Sequence, residues 1–261
     1  MNNYLIIFLI ILNLILFYSL YRKKIRSLFS FSKVRSVDLS NVHEIFLSNV
    51  NIKEYNFPKE DVVVKNFFID PSFKLVGLTS DYESWILSCI AKYSKNIFEF
   101  GTASGKTTAL LALNSSPDAK IHSITLDPDS ISTYNFLPDK KELKSIKNAI
   151  NESIYKKFIF NDMTIENKIN VLFQDSLKFN DSIYKNSMDL IFIDGGHNYL
   201  CVKSDSQKSF NMIKKNGFIF WHDYVPTKKS VRGVVNYINE TTKYKKIFHI
   251  KNTSLCYYKH E

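Results

Sequence analysis

The chain has 261 residues, of which 45% are hydrophobic and 15% aromatic, and it carries a formal charge of +10. Such apolar content excludes wholesale disorder and suits one α/β domain of ordinary size with a modest appendage. The three cysteines, Cys89, Cys201 and Cys256, lack metal or redox spacing, so a disulfide scaffold or a cysteine-bound metal is excluded. The lysines are scattered and neither zinc-finger spacing nor an aromatic RNA-reading signature is present, so no nucleic-acid partner is expected.

Tyr4 to Tyr21 is uncharged and interrupted only by Asn13 and Ser19. As a helix its 18 residues would span about 27 Å, enough for a bilayer core. Arg22, Lys23, Lys24 and Arg26 follow at once. A cleaved signal peptide is disfavoured, because no basic segment precedes the run and no small-residue cleavage site follows it. The expectation is a single-pass anchor over residues 1–21, with the positive flank, and hence the main domain, on the cytoplasmic side. Residues 22–75 read as a basic linker and accessory segment: Ser27 to Ser40 is basic and Ser-rich, Val42 to Ile52 has helical spacing, and Val62 to Phe68 looks like a short strand.

The main domain is expected over residues 76–261. Ser80-Asp81-Tyr82-Glu83 is a capping box opening a helix through Ala91. Strands are then predicted at Ile97–Phe100, Ile121–Leu126, Ile169–Phe173, Asp189–Ile193 and Phe218–Trp221. Helices are predicted between and after them at Thr107–Asn114, 140–154, Tyr199–Lys215 and Val231–Asn239, with Lys246–Ile250 and Leu255–Tyr258 as a closing strand pair. Alternation of this kind implies a doubly wound, mostly parallel sheet with an antiparallel terminal strand. An acid lies within two residues of the end of each of the five strands: Glu99, Asp127, Asp175, Asp194 and Asp223. In open α/β sheets that rim is where ligands bind, so five acids on it point to a site.

The turn Gly101-Thr102-Ala103-Ser104-Gly105-Lys106-Thr107 admits two readings. A phosphate-binding P-loop needs a glycine five places before Gly105, where Phe100 stands, and Glu99 would repel a triphosphate. A nucleoside-binding turn fits better, since Asp127 lies 26 residues beyond Gly101, near the spacing at which a carboxylate reaches ribose hydroxyls. Asp127 and Asp175 would also suit local caps, and Lys106 reads as a rim charge.

Glu99-Phe100-Gly101-Thr102-Ala103-Ser104-Gly105, Asp127, Gln174-Asp175-Ser176, Asp194-Gly195-Gly196-His197-Asn198-Tyr199 and Trp221-His222-Asp223-Tyr224 together resemble class I S-adenosylmethionine-dependent methyltransferases, with a Rossmann-like fold. Within these the chain is most similar to the small-molecule O-methyltransferase group with macrocin-type and cephalosporin-hydroxylase-like members. The resemblance implies that Glu99, Gly101 and Gly105 line the methionine and ribose of the cofactor. Asp127 would bind the ribose hydroxyls, and Asp175 and Ser176 would flank the adenine. It also implies a divalent cation such as Mg2+ at Asp194 and Asp223, with His222 nearby and His197 as general base or further ligand. Asp194, His197 and His222 are thus the expected catalytic residues. Where metal-dependent relatives carry two adjacent acids, this chain has His222-Asp223.

The implied activity is methyl transfer to a hydroxyl of a small molecule or sugar at the cytoplasmic membrane face. The competing functions are a P-loop-like NTPase and a catalytically idle nucleoside-binding scaffold.

Overall fold

The structure, a computed structural model, describes residues 3–28, 33–39, 42, 45, 63–69, 73, 75, 79–129 and 150–261. Helix α1 is Asn3–Leu28. Strand β1 is Arg35–Val37, helix α2 is Asp81–Ala91, strand β2 is Asn96–Phe100 and helix α3 is Lys106–Asn114. Strands β3 (Lys120–Thr125), β4 (Ile169–Phe173) and β5 (Met188–Ile193) follow, then helix α4 (Tyr199–Met212), strand β6 (Ile213–Trp221) and helix α5 (Arg232–Thr241). Strands β7 (Phe248–Ile250) and β8 (Cys256–Lys259) close the chain.

The strands form one sheet in the order β1-β7-β8-β6-β5-β2-β3-β4. All pairings are parallel except those of β8 with β6 and with β7. This is the doubly wound Rossmann-like arrangement with an antiparallel end strand. The chain runs outward from β2 through β3 to β4, then returns to place β5 on the other side of β2. The crevice at the carboxyl ends of β2 and β5 is therefore the switch point where such sheets take ligands.

Strand periodicity sends alternate residues to opposite faces. Ile97, Leu190, Phe192 and Phe218 join Ile86, Leu87, Ile90 and Leu111 in one core. Phe98, Phe100, Ile191, Ile193, Ile219 and Trp221 join Val202, Val234, Val235 and Ile238 in the other. Two apolar faces explain why β5 reads as a continuous hydrophobic run from Leu190 to Ile193 and why in β2 only Glu99 interrupts one from Ile97 to Phe100.

Several elements differ from the sequence expectation. The helix expected to Lys215 stops at Met212, because Ile213 is buried and pairs with Met188 across an irregularity in β6. No strand forms over residues 63–68; instead the Lys65 backbone donates to and accepts from the Asn114 side-chain amide, at 2.6 and 2.9 Å, which takes the place of a neighbouring strand. Within the expected linker, Arg35–Val37 pairs in parallel with β7 and widens the sheet. Of the helix expected over Val42–Ile52 only Val42 and Ile45 are described, both buried in the core. Of the helix expected over 140–154 only 150–154 are described, helical at 150–152 and no longer so at 153–154.

Among the described residues no helix is long and apolar enough to cross a membrane. In α1 the side chains described are 4–18 and Tyr21. The span expected over Tyr4–Tyr21 is thus not met there.

Candidate active site

Strand β2 delivers Glu99 into the interior, where it is 1% exposed. Its Oε2 accepts hydrogen bonds from Thr108 Oγ1 and, at 2.6 Å, from Ser123 Oγ. Thr102 Oγ1 lies 2.7 Å from Ser123 Oγ and extends the chain of hydroxyls. Glu99 Oε1 is buried with no hydrogen-bond partner among the described residues, and so is Ser104 Oγ in the adjoining turn. Burial pushes the Glu99 carboxyl up to about 8, against the pull of Ser123 and Thr108 and with help from Asp194.

The turn after β2 needs its glycines. Gly101 has φ +97° and Gly105, which caps α3, has φ +82°, a region L side chains rarely enter. A Cβ at Gly101 would stand 2.3 Å from the Asp194 carbonyl oxygen, so the absent side chain lets β2 and β5 close up at the switch point. Lys106 Nζ donates to the Thr79 carbonyl at 3.3 Å.

The other rim acids divide. Asp127 is half-buried and Asp175 likewise, and each accepts from the backbone two residues on: Asp127 from Asp129 N at 3.0 Å, Asp175 from Leu177 N at 2.9 Å. One oxygen of each therefore shapes a turn. Ser176 is half-buried beside Asp175.

Asp194, at the end of β5, and Asp223, after β6, converge with His197. One ligand atom from each of the three lies within 4.8 Å of the others. His197 Nε2 is 3.0 Å from Asp223 Oδ2 but off the axis of a hydrogen bond. Burial tends to lower the His197 pKa; Asp223, Asp194 and Glu152 outweigh it and raise it above the ordinary 6.5. Asp223 has φ +61°, and Lys228 Nζ stands 3.4 Å from its Oδ1. Its carboxyl would rise on burial, yet His197, His222 and Lys228 hold it well below the usual carboxylate range.

His222 occupies a different place in the cluster. Its Nδ1 donates to Asp194 Oδ1 at 2.9 Å, and its Nε2 faces Glu83 Oε2 at 3.4 Å. Burial would lower its pKa, but Asp194, Glu83 and Asp223 drive it to about 11. With carboxylates at both nitrogens, His222 is a fixed imidazolium rather than a proton acceptor or a ligand.

Two acids beyond the motifs take part. Glu83, read only as a capping residue, reaches His222 from α2. Glu152 interacts electrostatically with His197, Asp194 and Asp223, and burial raises its pKa. No local pattern marks either residue as a site acid, since both owe their place to tertiary packing.

The donors suit the groups the resemblance implies. Two carboxylates and an imidazole are a hard oxygen-and-nitrogen set of the kind that holds Mg2+ or Mn2+, and the poor axis between His197 and Asp223 is what two ligands of a shared cation would show. The partnerless Glu99 Oε1 and Ser104 Oγ beside a positive-φ turn suit a cofactor offering ammonium or hydroxyl groups.

Residues 98–224 match the family model for a methyltransferase domain. No curated protein matches the chain in sequence. Among solved structures, the chain is similar to a candidate caffeoyl-CoA O-methyltransferase of Staphylococcus aureus, at 15% identity and TM-score 0.52, covering 71% of this chain and 86% of that one. It is also similar to a candidate O-methyltransferase of Klebsiella pneumoniae, at 13% identity and TM-score 0.50, covering 73% and 84%. A third is the cofactor-bound protein Rv0187 from MTB, at 11% identity and TM-score 0.50, covering 72% and 82%. These likenesses establish a shared fold.

Proposed function

Proceeding from a methyltransferase domain at residues 98–224, we propose that the chain transfers a methyl group from S-adenosylmethionine to a hydroxyl oxygen of a small molecule or sugar. The observation that carries this reading is the meeting of Glu99 and its glycine turn with Asp194, His197 and Asp223 at one switch point. A cofactor cradled by the turn would present its methyl group toward the acid–imidazole cluster.

Gly101 and Gly105 set the shape of the turn, packed against Asp194 and against Phe158 and Phe160, with Glu99 and Ser104 answering the cofactor's polar groups. Asp127 would meet the ribose hydroxyls at the end of β3, and Asp175 and Ser176 border the base. The acceptor hydroxyl gives its proton to His197, which Asp223 steadies. The oxygen forms its bond to the methyl carbon as the carbon–sulfur bond breaks, and the electron pair passes to sulfur to leave a neutral thioether. A divalent cation held by Asp194, His197 and Asp223 would polarise the acceptor hydroxyl, with the Glu152 carboxylate close enough to act on the same cluster.

We assign α1 to membrane attachment. Its described apolar side chains are exposed on every side, from Ile6 at 38% to Tyr4 at 80%, and a helix apolar all round is otherwise found only inside protein or lipid. Arg22, Lys23, Lys24 and Arg26, near the end of the same helix, suit the anionic cytoplasmic surface. This favours an acceptor made or carried at that surface.

Calorimetric titration of the full chain with S-adenosylmethionine, with and without Mn2+, tests the reading. Binding of S-adenosylmethionine is expected; tight ATP binding with no response to S-adenosylmethionine would favour an NTPase and overturn it.

A further inference from the structure

Glu83 lies outside the segment matched by the methyltransferase model, and its sequence context explains it as a helix cap alone. The structure asks more of it. Ser80 Oγ accepts from Glu83 N at 3.3 Å and Glu83 Oε2 accepts from Ser80 N at 2.8 Å, which completes the capping box. Capping glutamates usually sit at the surface, but Glu83 is 4% exposed. A buried carboxylate is costly unless its lone pairs are matched. Here Oε1 accepts from Ser254 N at 2.6 Å and from Ser254 Oγ at 2.8 Å, in the turn between β7 and β8, while Oε2 also accepts from Ser80 Oγ at 2.8 Å. With four such donors fixing it, Oε2 stands at the far nitrogen of His222, whose near nitrogen donates to Asp194.

We propose that Glu83 is a positioning residue of the active site: by holding His222 from behind, it fixes the ring so that one oxygen of Asp194 is tied and the other is left to face His197 and Asp223. The proposal rests on the methyl-transfer reading for its purpose, but its geometry stands apart from it. The line Glu83–His222–Asp194 runs from the first turn of α2 to the end of β5. It thereby couples the helix that leads into β2 to a carboxylate beside the cofactor turn. A histidine whose ring is aimed by a second carboxylate is a recurrent way to orient a reactive or ligating group, and loss of such a partner commonly costs about 10- to 100-fold in affinity or activity.

The test uses the full chain in detergent, labelled with 15N at histidine. The His222 Nδ1 proton, shared with Asp194 and shielded from water, is expected as a downfield, slowly exchanging resonance that disappears in His222→Gln. It should be lost in Glu83→Gln, which preserves shape and capping ability but removes the charge. It should also be lost in Glu83→Asp, which keeps the charge but withdraws the carboxylate. Ser80→Ala, which removes the side-chain cap and one of the four donors to Glu83 but leaves the Ser80 N–H, both Ser254 donors and the carboxylate itself at His222, should retain it. Persistence of the resonance in a folded Glu83 variant, or its equal loss in Ser80→Ala, overturns the proposal and leaves Glu83 a cap. S-adenosylmethionine titration of the same samples is read separately, so failure to bind the cofactor would count against the enzymatic reading and not against this one.

Discussion

Asp205 offers a sharp energetic test of how the cofactor side of the domain is supported. It lies on α4 and is 1% exposed; neither carboxylate oxygen meets hydrogen-bonding geometry with any described residue. Its Oδ2 is 3.4 Å from the place a Cβ on Gly195 would take, so it sits directly behind the loop that follows Asp194. Burial drives its carboxyl from the ordinary 3.8 to about 7, with the Ser176 hydroxyl opposing. Because the folded value is raised, the native state binds more protons than the unfolded one. The group therefore costs nothing well below pH 3.8, and its cost grows as pH climbs toward 7. At 1.36 kcal/mol per pH unit the full cost is about 4 kcal/mol, of which roughly 2–3 kcal/mol accrues between pH 5 and pH 8. Asp205→Asn keeps the shape and cannot ionise. Denaturant unfolding of the full chain at pH 5 and pH 8 should show the variant gaining about 2–3 kcal/mol on the parent over that interval, with unchanged slope. A stability difference that is the same at both pH values would refute the reasoning.

Gly101→Ala should abolish S-adenosylmethionine binding in the calorimeter, because the new methyl would meet the Asp194 carbonyl at a backbone angle of +97°; the strain alone is worth about 1–3 kcal/mol, and binding equal to the parent would sink the account of the turn. Asp223→Asn should move the His197 titration, followed by NMR, to lower pH, since burial remains while the main carboxylate holding the proton is gone. An unmoved midpoint would mean that Asp223 does not govern that proton.

What the sequence disclosed follows from where the physics is local. Phe98, Phe100, Ile191 and Ile193 announce buried parallel strands by composition alone, and an acid near a strand end needs only the strand to be located. Glu99, Asp194 and Asp223 were visible for that reason, and His197 because it stands three residues from Asp194. Glu83 was visible as a cap and hidden as a partner of His222, since that contact joins residues 139 apart in the chain. Arg35–Val37 has no periodicity over three residues and becomes a strand only because β7 offers an edge. The role of Asp205 depends on which way α4 turns, and its surrounding serines, lysine and glutamine read as a solvated face.

The strand at Arg35 also limits how far the enzyme can roam. Only residues 29–34 separate it from the end of α1, and seven backbone steps reach at most about 25 Å. With the apolar part of α1 in lipid as proposed, the last seven residues of the helix add about 10 Å, and the sheet edge would be moored within about 35 Å of the bilayer, on a leash too short for the domain to leave the surface. Encounter with an acceptor then becomes a search in two dimensions: a lipid-linked substrate shares the same plane at high effective concentration, and a freely diffusing one gains nothing from the tether.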